Sequence, residues 1–280
     1  MIFLPREPYA QLGSFDLHPE LGGFIGNLGL KDRRSFTDHF AEKSVARLKD
    51  VLEVAGADRW RQMSRYTLHM SVGGAFCSHK CSSAQLKDLV VEGSTDQQWL
   101  EINGFCGVDQ RALYRPDRVV LEGADGQLLK EKKGPPQEMR QRLRASIWDE
   151  LQLAYYCGYS IWNYLAVPFV FAEPDVTTEE LEPESVHADA WRRLRLRFPP
   201  RVVTHSSEQT FYFDRDGFLR RLDYTSEIED TRIAQLFSGH QRFSGILIPT
   251  LSRSLPIARD GRLSAKSSLV DIEIFDVVFA

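Results

Sequence analysis

At 280 residues the chain can hold one large domain or two small ones. Its 42% hydrophobic and 26% charged residues match an ordinary globular protein, and a net charge of −4 offers no basic surface for nucleic acid. Four cysteines (Cys77, Cys81, Cys106, Cys157) are too few and too irregularly spaced for a disulfide frame.

The opening MIFLPREPYAQLGSF has only a four-residue apolar start and lacks the long apolar core of a signal peptide, which points to the cytoplasm. Residues 1–34, with Pro5, Pro8, Pro19 and five glycines, read as an irregular N-terminal arm. Residues 35–280 read as a single domain. A helix begins at Ser35 or Thr37, carries Phe36, Phe40, Val45, Leu48, Val51 and Leu52 at helical spacing, and ends near Gly56. The period then changes to two: Tyr66, Leu68, Met70 and Val72 alternate with Thr67, His69 and Ser71, as in a half-buried antiparallel strand. Short strands follow at Lys87–Glu92, Gln98–Phe105, Arg118–Glu122 and Gln127–Lys130, spaced as a meander rather than as βαβ units. Cys77-Ser-His79-Lys-Cys81 lacks the second ligand pair of a tetrahedral metal site and reads as a polar loop. Lys130–Arg144 reads as a charged surface connector.

The segment Ile147–Ala172 organises the rest. After Glu150 it runs to Glu173 without a charge and holds four of the nine tyrosines. At a 3.6-residue period Trp148, Leu151, Tyr155, Tyr159 and Trp162 form one stripe. Asp149, Gln152, Tyr156, Ser160 and Asn163 form a narrower hydrogen-bonding one. A helix apolar nearly all round is buried on most sides. Its glutamine, asparagine, proline and tyrosines argue for a core helix over a membrane span. The helix should stop near Leu165, with AVPFVF extended, because Pro168 disfavours helix at Val167.

Beyond it, Glu173–Asp189 carries seven acidic residues in seventeen and reads as an acidic loop. Strands resume at Trp191, with Arg193, Arg195 and Arg197 on a wet face and Leu194, Leu196 and Phe198 opposite. Asp214-Arg-Asp216-Gly217 marks a hairpin over Glu208–Thr225. Pairing Phe213 with Phe218 puts Phe211, Phe213, Phe218, Leu222 and Tyr224 on one face. Strands at Arg242–Ile248 and Leu269–Phe279 follow, joined by a polar loop, Ser252–Ser268. Asp276 shares a face with Ile272 and Ile274, and points inward unless a bulge intervenes. Helix, strands, central helix and strands again make an α+β arrangement.

The run FYFDRDGFLRRLDY…FSGHQRFSGILIPT, with its YFD-x-DG-L hairpin and glycine-containing strand ending at Ile-Pro, resembles lipoprotein carriers of the LolA and LppX type over the last third of the chain. The resemblance implies a half-barrel: a strongly curved antiparallel sheet wrapped around the central aromatic helix, with an apolar cavity for acyl chains. It carries over no catalytic residues, because those carriers are not enzymes.

No P-loop, nucleophile elbow, Rossmann glycine pattern or HExxH motif is present, so neither cofactor nor metal is expected. The expected function is binding of a hydrophobic small molecule, lipid-like or polycyclic, in an aromatic-lined cavity. Tyr155, Tyr159, Trp162, Phe211, Phe213 and Tyr224 are its candidate walls, with Tyr156 and Asn163 as orienting polar groups. A cofactor-free enzyme (cyclase, isomerase or hydrolase) in the same frame is the alternative. Asp149 would be its acid, raised in pKa by an aromatic setting, and His205 its base, oriented by Glu208. Each also has a structural reading: Asp149 at the start of a helix complements the dipole, and His205 sits at a strand entry. A protein-interaction module is a third reading. Oligomeric state is left open.

Overall fold

The structure, a computed structural model, describes residues 48–80, 86–186, 189–264 and 268–280. The expected arm and the start of the first helix lie outside the described residues, as do Cys81 and the side chain of Cys77. Residues 48–55 are helical (α1), and Gly56 ends them with a φ of +88°. A short helix α2 (Ala57–Trp60) leads to strand β1 (Arg65–Gly73) and helix α3 (Ala75–Lys80). A meander follows: β2 (Leu89–Ser94), β3 (Leu100–Asn103), β4 (Gln110–Arg115), β5 (Arg118–Gly123) and β6 (Leu128–Lys133). Helices α4 (Pro136–Arg142) and α5 (Glu150–Ala166) and a 3-10 turn (Phe169–Ala172) interrupt the strands. A second meander comprises β7 (Thr177–Val186), β8 (Asp189–Arg197), β9 (Glu208–Phe213), β10 (Leu219–Ser226), β11 (Thr231–Phe243), β12 (Ile246–Pro256) and β13 (Val270–Phe279).

The two meanders form one open antiparallel sheet of 13 strands, in the order β6-β5-β4-β3-β2-β1-β13-β12-β11-β10-β9-β8-β7. They join where β1 pairs with β13. The edges are therefore β6 and β7, the strands on either side of the helical segment. A chain leaving one edge to begin the other must cross the sheet, and α5 makes that crossing. One hydrophobic core runs through both meanders and α5. This is an α+β half-barrel: a curved antiparallel sheet wrapped around the aromatic helix.

Period-two patterning decides which side chains enter the core. Tyr66, Leu68 and Met70 of β1 are buried and Thr67 and His69 are exposed. In β8, Leu194 and Leu196 are buried, while Arg195 and Arg197 meet Glu179 and Glu208 on the outside. These arginines are the wet, paired face of a strand.

Several expectations are corrected. The acidic stretch after Glu173 is not all loop: its second half is edge strand β7, whose Glu179 lies opposite Arg195. Fixed cations on β8 supply what an isolated acidic segment lacks. The segment after α5 is not extended but folds into the 3-10 turn. A strand proposed across Arg242–Ile248 is instead the tip of the β11–β12 hairpin. It turns at Ser244-Gly245, both at positive φ, and Phe243 pairs with Ile246. The first residues of the polar loop, to Pro256, belong to β12. Strand β4 and most of β11 fall where the alternation predicts no strand. The hairpin register also differs. A bulge between Leu219 and Arg221 turns Leu219 into the core, and Phe218 stacks outside on His240, centroids 5.1 Å apart. At Asp276 a bulge does intervene, between the pairs His69–Asp276 and Met70–Ile274. Asp276 is exposed while Ile274 and Val277 stay buried.

Candidate functional site

Helix α5 begins with a capping box. Asp149 accepts from the Gln152 backbone N–H at 2.8 Å, and the Gln152 side chain accepts from the Asp149 N–H at 3.0 Å. Asp149 is exposed and does not line the cavity beneath the helix. The structure places it as the helix cap rather than as an acid facing ligand, which is the dipole-complementing position weighed against catalysis.

Further along, the helix divides its side chains between two neighbourhoods. Tyr155 turns toward β4, packing edge-on against Tyr114 at 5.4 Å and donating to the Pro116 carbonyl at 2.9 Å. Trp162 donates to the Ser94 carbonyl at 2.9 Å. Phe213 is buried edge-on to Phe171, at 6.4 Å. Tyr155 and Phe213 are core, whereas Trp162 lines a separate pocket on the other flank of the helix with Trp60, Arg115, Phe169 and Arg201.

The hydrogen-bonding stripe faces an internal cavity. Tyr156, Ser160 and Asn163 line it, with Phe211, Leu222 and Tyr224 opposite on β9 and β10. It leaves about 50 Å³ to the centre of a water-sized sphere. No Asp, Glu, Lys or Arg lines it among the described residues. Several of its polar groups are already satisfied by protein. Asn163 donates to the Val203 carbonyl at 2.8 Å, Tyr164 to the Pro249 carbonyl at 2.8 Å, and Gln235 to the Ser252 hydroxyl at 3.0 Å. What remains toward the cavity is largely apolar surface.

His205 stands at the cavity wall. Its ring stacks on Tyr224 at 4.7 Å, and Tyr159 and Tyr156 meet it at 5.2 and 5.8 Å. Tyr159 Oη lies 3.4 Å from Nδ1. Enclosure by rings pushes the imidazole pKa from its ordinary 6.5 down to about 4, because burial disfavours the charged form. Burial also raises the Tyr159 and Tyr224 hydroxyls above their ordinary value. Glu208, expected to orient His205, instead pairs with Arg195 at 3.6 Å and Arg197 at 2.8 Å.

Tyr159 and His205 also line a second, more polar pocket of about 200 Å³, with Gln137, Arg140, Gln141, Arg144 and Glu227. Thr204 and His205 border both spaces. Sequence reasoning passed over Tyr164, Phe237 and this polar pocket. Tyr164 continues the Tyr156–Ser160 stripe by one more turn and was findable. Phe237 lies on a strand whose polar, glycine-containing sequence hides its pairing. The described residues hold no cluster of three or more His, Cys, Asp or Glu side chains suited to a metal, and no helix long and apolar enough to cross a membrane.

No protein-family model matches the chain, and no curated protein matches it in sequence. Among solved structures it is similar to a putative outer membrane lipoprotein-sorting protein domain from Vibrio parahaemolyticus. The TM-score is 0.51 at 11% identity, covering 85% of this chain and 93% of that one. A LolA superfamily protein from Nitrosomonas europaea aligns over 83% and 93% of the two chains at 12% identity, with a TM-score of 0.49. The chain shares its fold, an open antiparallel half-barrel around a helix, with that Vibrio domain.

Proposed function

We propose that the protein binds a hydrophobic small molecule, lipid-like or polycyclic, between α5 and strands β9 to β13. The observation that carries this reading is a cavity with no charged residue in its lining, between the hydrogen-bonding stripe of the helix and the sheet. A half-barrel packed solely for stability has no use for such a gap, since unfilled apolar space costs dispersion contacts. The shared fold with a lipoprotein-sorting domain supports the same reading.

Catalysis in this cavity has weaker support. Asp149 lies outside it, and a histidine with a pKa near 4 is a poor proton acceptor at neutral pH, where an effective base titrates close to the working pH. The binding reading is tested with a polarity-sensitive apolar fluorophore and by native mass spectrometry of protein from its own host. We expect saturable probe binding that Ser160→Phe, which fills the cavity, reduces by about tenfold or more. Failure of every apolar probe to bind, with no co-purifying small molecule, would return these residues to a purely structural role.

A further inference from the structure

The cavity and the polar pocket share Thr204 and His205 as a common wall, and the two are chemically unlike. The polar side is built by α4 and the turn after it. Gln137, Arg140 and Gln141 of the helix and Leu143 and Arg144 of the turn line it, while Met139 packs into the core. Across from them stands one carboxylate, Glu227. Two guanidinium groups against one carboxylate leave an excess of positive charge.

Nor is the first arginine saturated. Arg140 reaches Glu227 through a single contact of 3.4 Å, and its buried Nε has no hydrogen-bond partner. Glu227 divides itself further, accepting from the Ser207 N–H at 3.3 Å. Arg144 is exposed and has no acidic partner among the described residues. A guanidinium is a planar fork of donors, and a carboxylate or phosphate is the group that fills such a fork. Lining that is apolar on one side of His205 and cationic on the other has the polarity of an amphiphile.

We propose that this pocket holds the head of an anionic amphiphile, a single carboxylate or phosphate, while its alkyl chain occupies the cavity behind Tyr159 and His205. The assignment rests on the hydrophobic-ligand reading and narrows it: Arg140 and Arg144 select the head, and the α5 stripe receives the chain.

The test is competition for a bound apolar probe on the full chain, using an alkyl carboxylate, an alkyl phosphate, an alkanol and an alkylamine of one chain length. The anions should compete about tenfold or more better than the alkanol, and the amine worst. The ranking of carboxylate against phosphate identifies the head. Arg144→Gln and Arg140→Gln should each shrink the anion preference and leave alkanol binding unchanged. Glu227→Gln, which removes the competing carboxylate, should strengthen the anions. Because Arg144 is exposed, its variant tests the idea even if loss of Arg140 unfolds the chain, which circular dichroism would reveal. Equal binding of carboxylate and alkanol would overturn the headgroup site while leaving the cavity reading intact. So would competition by inorganic phosphate alone at the same concentrations. If no chain compound competes at all, the hydrophobic-ligand reading fails and the headgroup site with it.

Discussion

His205 shows how an ordinary residue type acquires a particular character from its packing. Three tyrosine rings surround its imidazole, so the folded protein keeps it neutral down to about pH 4, whereas the unfolded chain protonates it near 6.5. The folded value is depressed. The favourable contribution is therefore present in full above about pH 6.5 and is lost as pH falls toward 4, because only the unfolded state takes up the proton in that window. Thermal melts of the native chain should lose stability between about pH 7 and about pH 5 faster than those of His205→Gln. The difference should be on the order of 1 kcal/mol. His240, whose pKa burial also lowers to about 4, is present in both proteins and cancels. Parallel curves would show that the ring is solvated. That His205 could matter was visible from its place at a strand entry. Its neighbours were not, since Tyr159 and Tyr224 reach it from 46 residues before and from the next strand. The same limit separated Glu208 from its real partners, the arginines of the adjacent strand.

At the scale of elements, α5 is the best-announced feature of the chain and β11 the least. An uncharged run with two stripes and an Asp-x-x-Gln start contains its own helix, cap and burial, and the helix found ends within a residue of the expected Leu165. What the pattern could not decide is which stripe meets packed strand and which meets space. Gly158 settles it. A Cβ placed there would lie 2.2 Å from Cγ of Tyr114, a fully buried ring on β4. The helix is thus seated directly on the β4 side, and the gap falls on the other flank, at Tyr156 and Ser160. Helix propensity alone makes Gly158→Ala stabilising by about 1 kcal/mol. The close approach predicts the opposite sign, a net loss of roughly 1–3 kcal/mol as the helix is levered off Tyr114. Urea denaturation distinguishes the two, and a stabilised variant would mean that the helix is not seated on this ring. The hairpin and β13 were legible as strands but not in register, because a one-residue bulge reverses every side chain beyond it and leaves no mark in the alternation before it.

For the whole molecule, local patterning gives two meanders separated by a helix but says nothing about their union, which depends on the pairing of β1 with β13 from opposite ends of the described chain. That single long-range pairing merges them into one sheet and makes edges of β6 and β7, the strands flanking the helical crossing. An open sheet leaves unpaired backbone at both edges, and such edges recruit other strands unless something obstructs them. Strand β7 carries the obstruction in its sequence, Thr-Thr-Glu-Glu-Leu-Glu-Pro-Glu-Ser-Val. Pro183 lacks an N–H to offer and falls where the register with β8 shifts, between Leu181 and Glu184. The glutamates add like charge that a second copy of the same edge would have to meet. The acidic composition first read as a loop is thus accounted for by an edge strand that must stay unpaired on one side. Replacing Glu182 and Pro183 together by valine restores an N–H, removes a charge and supplies β-branched side chains at exposed positions. Sedimentation velocity over a concentration series should then show more self-association than the native chain, at unchanged far-ultraviolet circular dichroism. The single changes should have intermediate effects, with Pro183→Val the larger because it alone returns a backbone donor to the edge. Unaltered sedimentation of the double variant would mean that neither residue guards this edge.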